Sequence, residues 1–434
     1  MSKCKYSDLY LPADDSFLVN KDPHLTPIRI SLPKPPPLHL IDGWGKHPDE
    51  QRFEYVEVPK RLQNLYLDTL DILNERANRQ SAFKVTLFKV QKLFWHRLNT
   101  MRDSYVDEIT WIKKIWWHRL HGYWFFNHGK PTYICGWHFM YLNFWNFAEN
   151  VRGNSKLPEY RDRDRRWFLF HQYIYTTRET FADYDESGNP VKVDGRYRMV
   201  DAGRRVFYGT INTKQRRAGE TNKALCIGHE LISLSEGSVG GLISYTRDNS
   251  EKHFRDKLVK SWQKFPIFFM PYYDGGTTPS NAITYRVPGT EVGESGINSV
   301  FNYAESGDGK AYDGSRLMFI LCDEEGKTDE VNVLTRWYQL TDCMSTGNGT
   351  NIHGLAIHPS TIENIKNGEN LANYRMLLEQ SDFYERNPVT GRTTSGLCRF
   401  FIPADDGCEG FIDLYGMSVM GDEVLDYQKK EGFK

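Results

Sequence analysis

One segment, residues 206–224, constrains the fold of this chain more than any other. Its sequence, VFYGTINTKQRRAGETNKA, starts with apolar and β-branched residues, passes through a basic stretch to a glycine, and continues with residues that favour a helix. A strand that enters a helix through such a loop can surround phosphates with backbone N–H groups at the start of the helix. The segment therefore predicts a phosphate-binding loop on an α/β sheet.

The end of this loop departs from the usual order of residues. The last glycine of a phosphate loop is normally followed by Lys and then Ser or Thr. Here Gly219 is followed by Glu220 and Thr221. Because a carboxylate that faces a triphosphate would be repelled, we expect Glu220 to turn outward.

A lysine is present at the front of the loop instead. Lys214 is followed closely by Arg216 and Arg217. Most runs of this composition are solvated basic turns. Here the run lies between a strand and a helix, which favours neutralisation of the β- and γ-phosphates by these cations, with Thr221 as a hydroxyl ligand for Mg²⁺.

A second element provides the acids that such a loop needs. In RLMFILCDEEGK, an apolar run is followed by Asp323 and Glu324. An acid that ends such a strand can hold Mg²⁺, and a following Glu can polarise an attacking water. Apolar strands that end in acids are common, so the run alone is a weak signal. Because the carboxyl ends of parallel strands share one edge of a sheet, we expect these acids to meet the basic loop.

Two further patterns resemble known sites but fail on spacing. Gly326-Lys327-Thr328 looks like the end of a phosphate loop, but the required earlier glycine would fall at Leu321, inside a strand. His229-Glu230 starts like a zinc-protease motif, but the second histidine would fall at Ser233. We therefore reject the first pattern as a nucleotide site and the second as a metal site.

Composition limits the class of protein. With 39% hydrophobic and 26% charged residues the chain is expected to be ordered, and a net charge of −1 provides no global field for nucleic acid. Seven cysteines without a CxxC pair favour reduced thiols in the cytoplasm. No apolar run approaches the length of about 20 residues that a membrane span needs, and no signal peptide is recognised.

The chain divides into four zones. Residues 1–60 are rich in proline and predict an extended arm, and residues 61–200 predict a lead-in of helices followed by a dense aromatic run. These aromatic rings could stack on bases, but a hydrophobic core is the commoner role at this density. Residues 201–421 alternate short strands with helices, which indicates a parallel α/β core, and residues 422–434 read as the start of a linker or tail.

Taken together, the front-lysine loop, the acid-terminated strand and the later segments IHGLAIHPST and GLCRFFIPADDGCEGFIDLYG resemble the ATPase part of a tailed-phage terminase large subunit. The resemblance covers roughly residues 120–421 and depends on the ordered set of motifs. It implies a phosphate-loop NTPase fold of the ASCE type, with a mainly parallel central sheet flanked by helices and preceded by a helical N-terminal region.

The resemblance also implies roles for individual residues. Glu324 would activate water, Arg216 or Arg217 would act as an arginine finger or sensor, and Thr221 and Asp323 would hold Mg²⁺. Ser360 and Thr361 would couple loss of the γ-phosphate to DNA gripping, although a Ser-Thr pair after a strand is also a common helix N-cap. ATP would be bound by Lys214, Gln215, Arg216, Arg217, Ala218, Gly219, Glu220 and Thr221. The adenine-contacting segment is expected near the aromatic run or Gln172.

The implied function is Mg²⁺-dependent ATP hydrolysis that moves double-stranded viral DNA into a procapsid. The implied partners are the portal protein, the small terminase subunit and further copies of the chain in a ring, a pentamer, on the procapsid. The chain would be a monomer in isolation, located in the host cytoplasm and transiently at the portal vertex, without membrane contact. Candidate DNA-contacting cations are Lys252, Arg255, Lys257 and Lys260, for which a solvated helix face is the commoner interpretation.

Three alternatives stay open. The chain could be another phosphate-loop translocase or helicase, or a non-catalytic DNA- or capsid-binding protein whose phosphate loop has decayed. The C-terminal acids Asp405, Asp406, Asp413 and Asp422 could instead serve a metal-dependent nuclease. We expect no nuclease activity, because little sequence follows the last of these acids.

Overall fold

The computed structural model describes residues 10–18, 28–148, 155–214, 218–289, 296–305, 307, 309–328, 331–347, 349–361, 368–387, 390–401 and 412–419. Gln215, Arg216 and Arg217 of the loop lie outside the described residues. So do Asp405, Asp406 and Asp422 of the C-terminal acids.

Helices dominate residues 60–121, as the sequence predicted. They are α1 (Lys60–Arg79), α2 (Leu87–Thr100) and α3 (Val106–His121), with a 3-10 turn at Arg102–Ser104. Upstream of them, β1 (Ser16–Leu18) pairs antiparallel with β2 (Arg29–Ser31), and 3-10 turns span Leu38–Leu40 and Pro48–Glu50. The N-terminal segment packs on the chain itself, because Asp42 forms a β-bridge with Phe125 and Ile30 and Phe53 join the core.

The aromatic run forms a hydrophobic core. It folds into β3 (Tyr123–Asn127), β4 (Lys130–Ile134), α4 (Gly136–Phe144) and β5 (Phe147–Ala148), followed by β6 (Ser155–Lys156) and α5 (Asp162–Thr176). Phe126, Phe139, Trp145 and Trp167 are fully buried. Their burial confirms the core interpretation and removes these rings as stacking platforms for bases.

Two antiparallel pairs lead from α5 into the central sheet. β7 (Arg178–Ala182) pairs with β10 (Met199–Arg205), and β8 (Lys192–Val193) pairs with β9 (Arg196–Tyr197). The strands that follow are β11 (Gly209–Thr213), β12 (Val239–Ser244), β13 (Ala282–Tyr285), β14 (Ser299–Asn302), β15 (Leu317–Asp323), β16 (Ser345–Thr346), β17 (Asn351–Ile352), β18 (Leu355–Ser360) and β19 (Leu397–Phe401). The helices between them are α6 (Glu220–Ser233), α7 (Arg247–His253), a π-helical segment (Phe254–Val259), α8 (Lys260–Trp262), α9 (Val333–Cys343) and α10 (Gly368–Glu379), with 3-10 turns at Ile267–Phe269, Glu325–Lys327 and Phe383–Glu385.

Within the described ranges, seven strands form the central sheet in the order β13-β14-β12-β15-β18-β11-β19. Neighbouring strands are parallel except for the β13-β14 pair at one edge. The loop strand β11 is separated from the acid-terminated strand β15 by β18. This topology confirms the expected α/β fold class, with a mainly parallel central sheet.

Helices cover both faces of this sheet. Along β15, Phe319 and Leu321 join the cluster that contains α4, α5 and α6, whereas Ile320 and Cys322 join the cluster that contains α9 and α10. Both faces are buried, as parallel sheets require, which explains the nearly continuous apolar run in the sequence of β15.

Other structural features bear on the sequence predictions. None of the helices in the described part of the chain has the length and apolar composition of a membrane span. The described cysteines, Cys135, Cys226, Cys322, Cys343 and Cys398, are buried and form no disulfide with one another. Residues 412–419 dock at the start of α5, where the Asp162 N–H donates to the Gly416 carbonyl at 2.8 Å.

Candidate functional site

The predicted loop connects β11 to α6 as expected. Lys214 follows the last residue of β11, and Gly219 precedes the first residue of α6. Gly219 has a φ of 72°, a left-handed conformation that glycine adopts without strain. A Cβ atom at Gly219 would meet no atom within 4 Å, so the backbone here borders open space.

Lys214 reaches both predicted acids. Its Nζ lies 2.8 Å from Asp323 Oδ1 and 3.3 Å from Glu324 Oε1. Burial alone would lower the pKa of Lys214, but Asp323 and Glu324 raise it above its ordinary value, so the side chain is a permanent cation. The front lysine is therefore in direct contact with the acids that end β15.

Asp323 lies at the centre of the site. Its side chain is 1% exposed and accepts a hydrogen bond from Thr221 Oγ1 at 2.9 Å, and its Oδ2 lies 3.2 Å from His253 Nδ1. Burial would raise the pKa of Asp323, but Lys214 and His253 hold it well below its ordinary range. A hydroxyl and a carboxylate in contact are the oxygen ligands that Mg²⁺ prefers, so Thr221 and Asp323 fit the role that the resemblance implied.

Glu324 is held by the strand end that carries the predicted coupling residues. Thr361 donates to Glu324 Oε2 from its N–H at 3.0 Å and from its Oγ1 at 2.7 Å. Ser360 Oγ accepts from the Gly326 N–H at 3.0 Å. Glu324 has a φ of 60°, a strained conformation for a residue other than glycine, of the kind that clusters at functional sites. Because residues 362–367 are not described, the helix N-cap interpretation stays a prediction.

The expectation for Glu220 is wrong. Its side chain is 3% exposed and accepts a hydrogen bond from Asn212 Nδ2 on β11. The Glu220 charge also acts on Lys214 and on Lys223; burial lowers the pKa of Lys223, and Asp164 and Glu220 oppose that shift. An amide donor and two cations therefore provide the buried carboxylate with partners that the sequence did not reveal.

The helix that follows β12 provides two groups that the sequence did not predict for the site. His253 contacts Asp323, and the charges of Asp323 and Glu324 act on Lys257. Lys257 was one of four candidate DNA-contacting cations. The other three are exposed: Lys252, Arg255, which pairs with Glu251, and Lys260, which pairs with Asp256. Only the register of β12 beside β15 brings this helix to the acids, and no sequence pattern encodes that register.

A cleft of about 1060 Å³ extends from the end of the loop toward the helical lead-in. Ala218, Gly219 and Asn222 line one side, and Arg161 at the start of α5 and Tyr415 line the other. Its lining thus includes residues of the predicted ATP-binding segment. The adenine-contacting residues, which we expected near the aromatic run or Gln172, stay a prediction.

A buried group near the site has the composition of a metal site. Ligand atoms of Cys322, Glu325 and His358 lie within 4.8 Å of one another. Glu325 is already paired with Arg336 at 2.7 Å and with His358 at 2.6 Å. Burial would raise the pKa of Glu325, but His358 and Arg336 lower it to about 2. We interpret the group as an ion-pair network, because a metal ion would lie close to the Arg336 guanidinium.

The two patterns rejected on spacing have structural roles. Glu230 is the buried partner of Arg119, with Arg119 Nε and Glu230 Oε2 2.6 Å apart. Lys327 lies on the 3-10 turn after β15, where its Nζ is 3.2 Å from Glu324 Oε2. It therefore contributes a cation to the site without a phosphate loop of its own.

Among the solved structures that the chain resembles are two of one phage protein, both distant. The chain is similar to the large terminase ATPase domain of Thermus phage P74-26 with 14% identity and a TM-score of 0.31, over 52% of this chain and 82% of that one. A form of the same domain with one arginine replaced by alanine gives 15% identity and a TM-score of 0.32, over 52% and 81%. No protein-family model matches the chain, and no curated protein does. The fold assignment depends on the strand order described above and not on these matches.

Proposed function

We propose that this chain hydrolyses ATP with Mg²⁺ at the edge of the sheet where β11 and β15 end. One observation carries the proposal. Lys214 Nζ lies 2.8 Å from Asp323 Oδ1, and Thr221 Oγ1 lies 2.9 Å from Asp323 Oδ2. A phosphate-binding cation, a hydroxyl and an acid have thus come together from segments far apart in the sequence.

Each residue has a role that follows from its chemistry. Lys214 binds the β- and γ-phosphates and exchanges its contacts with the acids for contacts with phosphate oxygens. Thr221 and Asp323 provide the oxygen ligands for Mg²⁺, which neutralises charge on the phosphates when it is bound. Glu324 orients the attacking water and accepts its proton. Phosphoryl transfer depends mainly on positioning and charge neutralisation, which this arrangement provides.

The cleft beside the loop accommodates the rest of the nucleotide. Its volume, about 1060 Å³, is at the upper end of the range for small-molecule sites, roughly 300–1,000 Å³. Gly219 and Asn222 border it at the start of α6, where backbone N–H groups favour phosphate. Gln215, Arg216 and Arg217 lie outside the described residues, and their part in ATP binding and as an arginine finger or sensor belongs to this proposal.

We further propose that hydrolysis drives double-stranded DNA into a procapsid, as the terminase resemblance implies. The contact of Thr361 with Glu324 supports this step, because it joins the end of β18 to the residue that orients the attacking water. The ring of copies, the portal protein and the small terminase subunit are part of the same proposal. So is the four-zone domain organisation, with an ATPase core at residues 201–421.

The test measures phosphate release by the full chain with ATP and Mg²⁺, alone and then with DNA and portal. Variants Lys214→Ala and Glu324→Gln are compared with Lys252→Ala, which alters an exposed lysine outside the site. We expect Glu324→Gln to lose at least about 100-fold in rate, as loss of general-base catalysis costs 10²–10⁴-fold, and to retain nucleotide binding. Lys214→Ala should lose binding as well, and Lys252→Ala should hydrolyse ATP as wild type does in the absence of DNA.

Each outcome distinguishes the proposal from its alternatives. If wild type hydrolyses nothing even with DNA and portal but binds ATP, the decayed-loop alternative holds. If Lys214→Ala retains full activity, the role given to the front lysine is wrong. Strand separation of a DNA duplex with an overhang would favour a helicase instead.

A further inference from the structure

The site at Asp323 has a second side, which the loop does not provide. It comes from the helix after β12. In the sheet, Ser244 at the end of β12 is in register with Asp323 at the end of β15. Thr246 then caps α7, accepting the Asn249 N–H with its side chain. The chain that leaves β12 is therefore directed along the same sheet edge as the acids.

The helix changes its winding at the site. α7 ends at His253, and the next six residues, Phe254–Val259, form a π-helical segment. Such segments are rare and occur frequently at functional sites, because the wider turn changes the direction in which side chains point. His253 is the last residue before this segment, and Lys257 lies within it.

His253 contacts one of the acids, and Lys257, four residues later, lies on the same side of the continuous helix, because residues four apart are neighbours on a helix surface. His253 Nδ1 lies 3.2 Å from Asp323 Oδ2, and the His253 side chain is 15% exposed. Lys257 is partly buried, and Asp323, Lys214 and Glu324 all act on its charge. Its ammonium nevertheless forms no ion pair within 4 Å with any residue that the structure describes. A partly buried cation without an anionic partner is costly, so this site favours an incoming anion.

The terminal phosphate of a nucleoside triphosphate is the anion that fits this position. Given the proposed function, that phosphate must lie within reach of Lys214 and of a water held by Glu324. The charges of Lys214 and Glu324 both act on Lys257. A diphosphate has no group at this position.

We infer that Lys257 contacts the terminal phosphate of a bound nucleoside triphosphate and allows the site to distinguish triphosphate from diphosphate. The inference rests on the proposed function and adds to it a binding residue from the helix that follows β12. Burial lowers the pKa of Lys257 to about 8, and Lys214 also opposes its charge, whereas Asp323 and Glu324 favour it. Lys257 is thereby assigned to the nucleotide and not to DNA.

The experiment measures binding of two ligands to the full chain with Mg²⁺ by calorimetry: the non-hydrolysable triphosphate AMP-PNP, and ADP. Lys257→Met removes the charge and keeps the length of the side chain. Lys260→Met is the matched control, since Lys260 is exposed on the same helix and pairs with Asp256. Lys257→Arg tests rescue by a cation.

A charge-assisted hydrogen bond to a phosphate predicts that Lys257→Met weakens AMP-PNP binding about 10- to 100-fold and ADP binding less than about threefold. Lys257→Arg should recover most of the difference, and Lys260→Met should show none. Equal weakening for both ligands, or no weakening, overturns the inference while leaving the proposed function intact. If wild type binds neither ligand, the proposed function fails and the inference with it. If the thermal-unfolding midpoint of Lys257→Met equals that of wild type, the fold is retained. If the midpoint falls, the dissociation constants of Lys257→Arg for AMP-PNP and ADP are compared instead. A preference for AMP-PNP over ADP equal to that of wild type then supports the inference, and loss of that preference overturns it.

Discussion

Replacement of Arg119 by Met should strongly destabilise the chain, because it leaves a buried carboxylate without its partner. Arg119 on α3 and Glu230 on α6 are both fully buried and form two hydrogen bonds, of 2.6 and 3.2 Å. Arg119 also donates to Ser233 Oγ at 2.7 Å and to the Phe269 carbonyl at 2.8 Å. The guanidinium thereby joins the helical lead-in to the helix that follows the phosphate loop.

The magnitude follows from what the substitution leaves behind. Removing one partner of a buried ion pair costs about 3–5 kcal/mol. The carbonyl of Phe269 also loses its Arg119 donor, and an unsatisfied buried acceptor costs about 1–3 kcal/mol. Because Met fills most of the volume of the arginine stem, cavity formation adds little. We expect a loss of about 5 kcal/mol at pH 8, a large part of the roughly 5–15 kcal/mol by which domains are stable.

The pH dependence of this loss identifies its cause. In wild type, burial would raise the pKa of Glu230, but Arg119 lowers it below 4.5. The ionised side chain therefore adds stability above pH 4.5, and this stability is lost as the pH falls through the lowered pKa. Without Arg119, burial raises the pKa of Glu230 above 4.5, so the penalty is present at high pH and disappears as the carboxyl takes up a proton. Protonation of His229, 3.6 Å from Glu230, acts in the same direction. The difference between wild type and variant should therefore shrink from pH 8 to pH 5, by up to about 1.4 kcal/mol per pH unit.

The assay is urea unfolding of the full chain at pH 8, 6.5 and 5. The double variant Arg119→Met/Glu230→Gln is the control, because it removes both charges and should show no such pH dependence. A cost below about 1 kcal/mol, or a larger cost that is the same at every pH, would refute the assignment of the loss to an uncompensated Glu230 carboxylate.

Two further predictions concern the loop. Lys214→Met should be less stable than wild type by about 3 kcal/mol, because Asp323 loses its buried cation. Added Mg²⁺ should restore stability, because it replaces the lost charge beside Asp323. At 100 times the Mg²⁺ dissociation constant this stabilisation reaches about 2.7 kcal/mol. Equal effects of Mg²⁺ on the variant and on wild type in urea unfolding would contradict this role. Glu220→Lys, which restores the usual lysine of the loop, should abolish AMP-PNP binding and destabilise the chain, because it places a third cation beside Lys214 and Lys223. Glu220→Gln is the control, and tighter AMP-PNP binding by Glu220→Lys would show that this account of the loop is mistaken.

The sequence predicted the elements of this site better than their surroundings. The strand, the loop and the helix of residues 206–224 were recognisable because glycine, a basic run and an apolar period lie together in one short segment. Asp323 and Glu324 were recognisable because an apolar strand ends abruptly in two acids. The strand order of the sheet then brings them together, and an open parallel sheet leaves little choice about which edge they share.

The sequence did not predict contacts that depend on how neighbouring strands of the sheet are aligned. Lys257 looked like one of four cations on a solvated helix, and only the placement of β12 beside β15 directs it to the acids. Glu220 was expected outside because a carboxylate that faces a triphosphate would be repelled. Its partner Asn212 lies eight residues earlier, on a strand whose side-chain direction toward α6 is fixed only by the fold. Buried polar pairs of this kind leave no periodic signal in a single sequence.

The buried Glu220 also explains why the lysine of this loop lies at its front. The first turn of α6 packs against β11, where Asn212 donates to Glu220, so a side chain at this position is directed into the fold and not toward the phosphates. Lys214 leaves the end of β11, and its N–H donates to the Ser360 carbonyl at 2.9 Å, which fixes its backbone at the sheet edge within reach of Asp323. At this flank of the loop the cation contacts both acids and, under the proposed function, lies beside the phosphates bound at the start of α6.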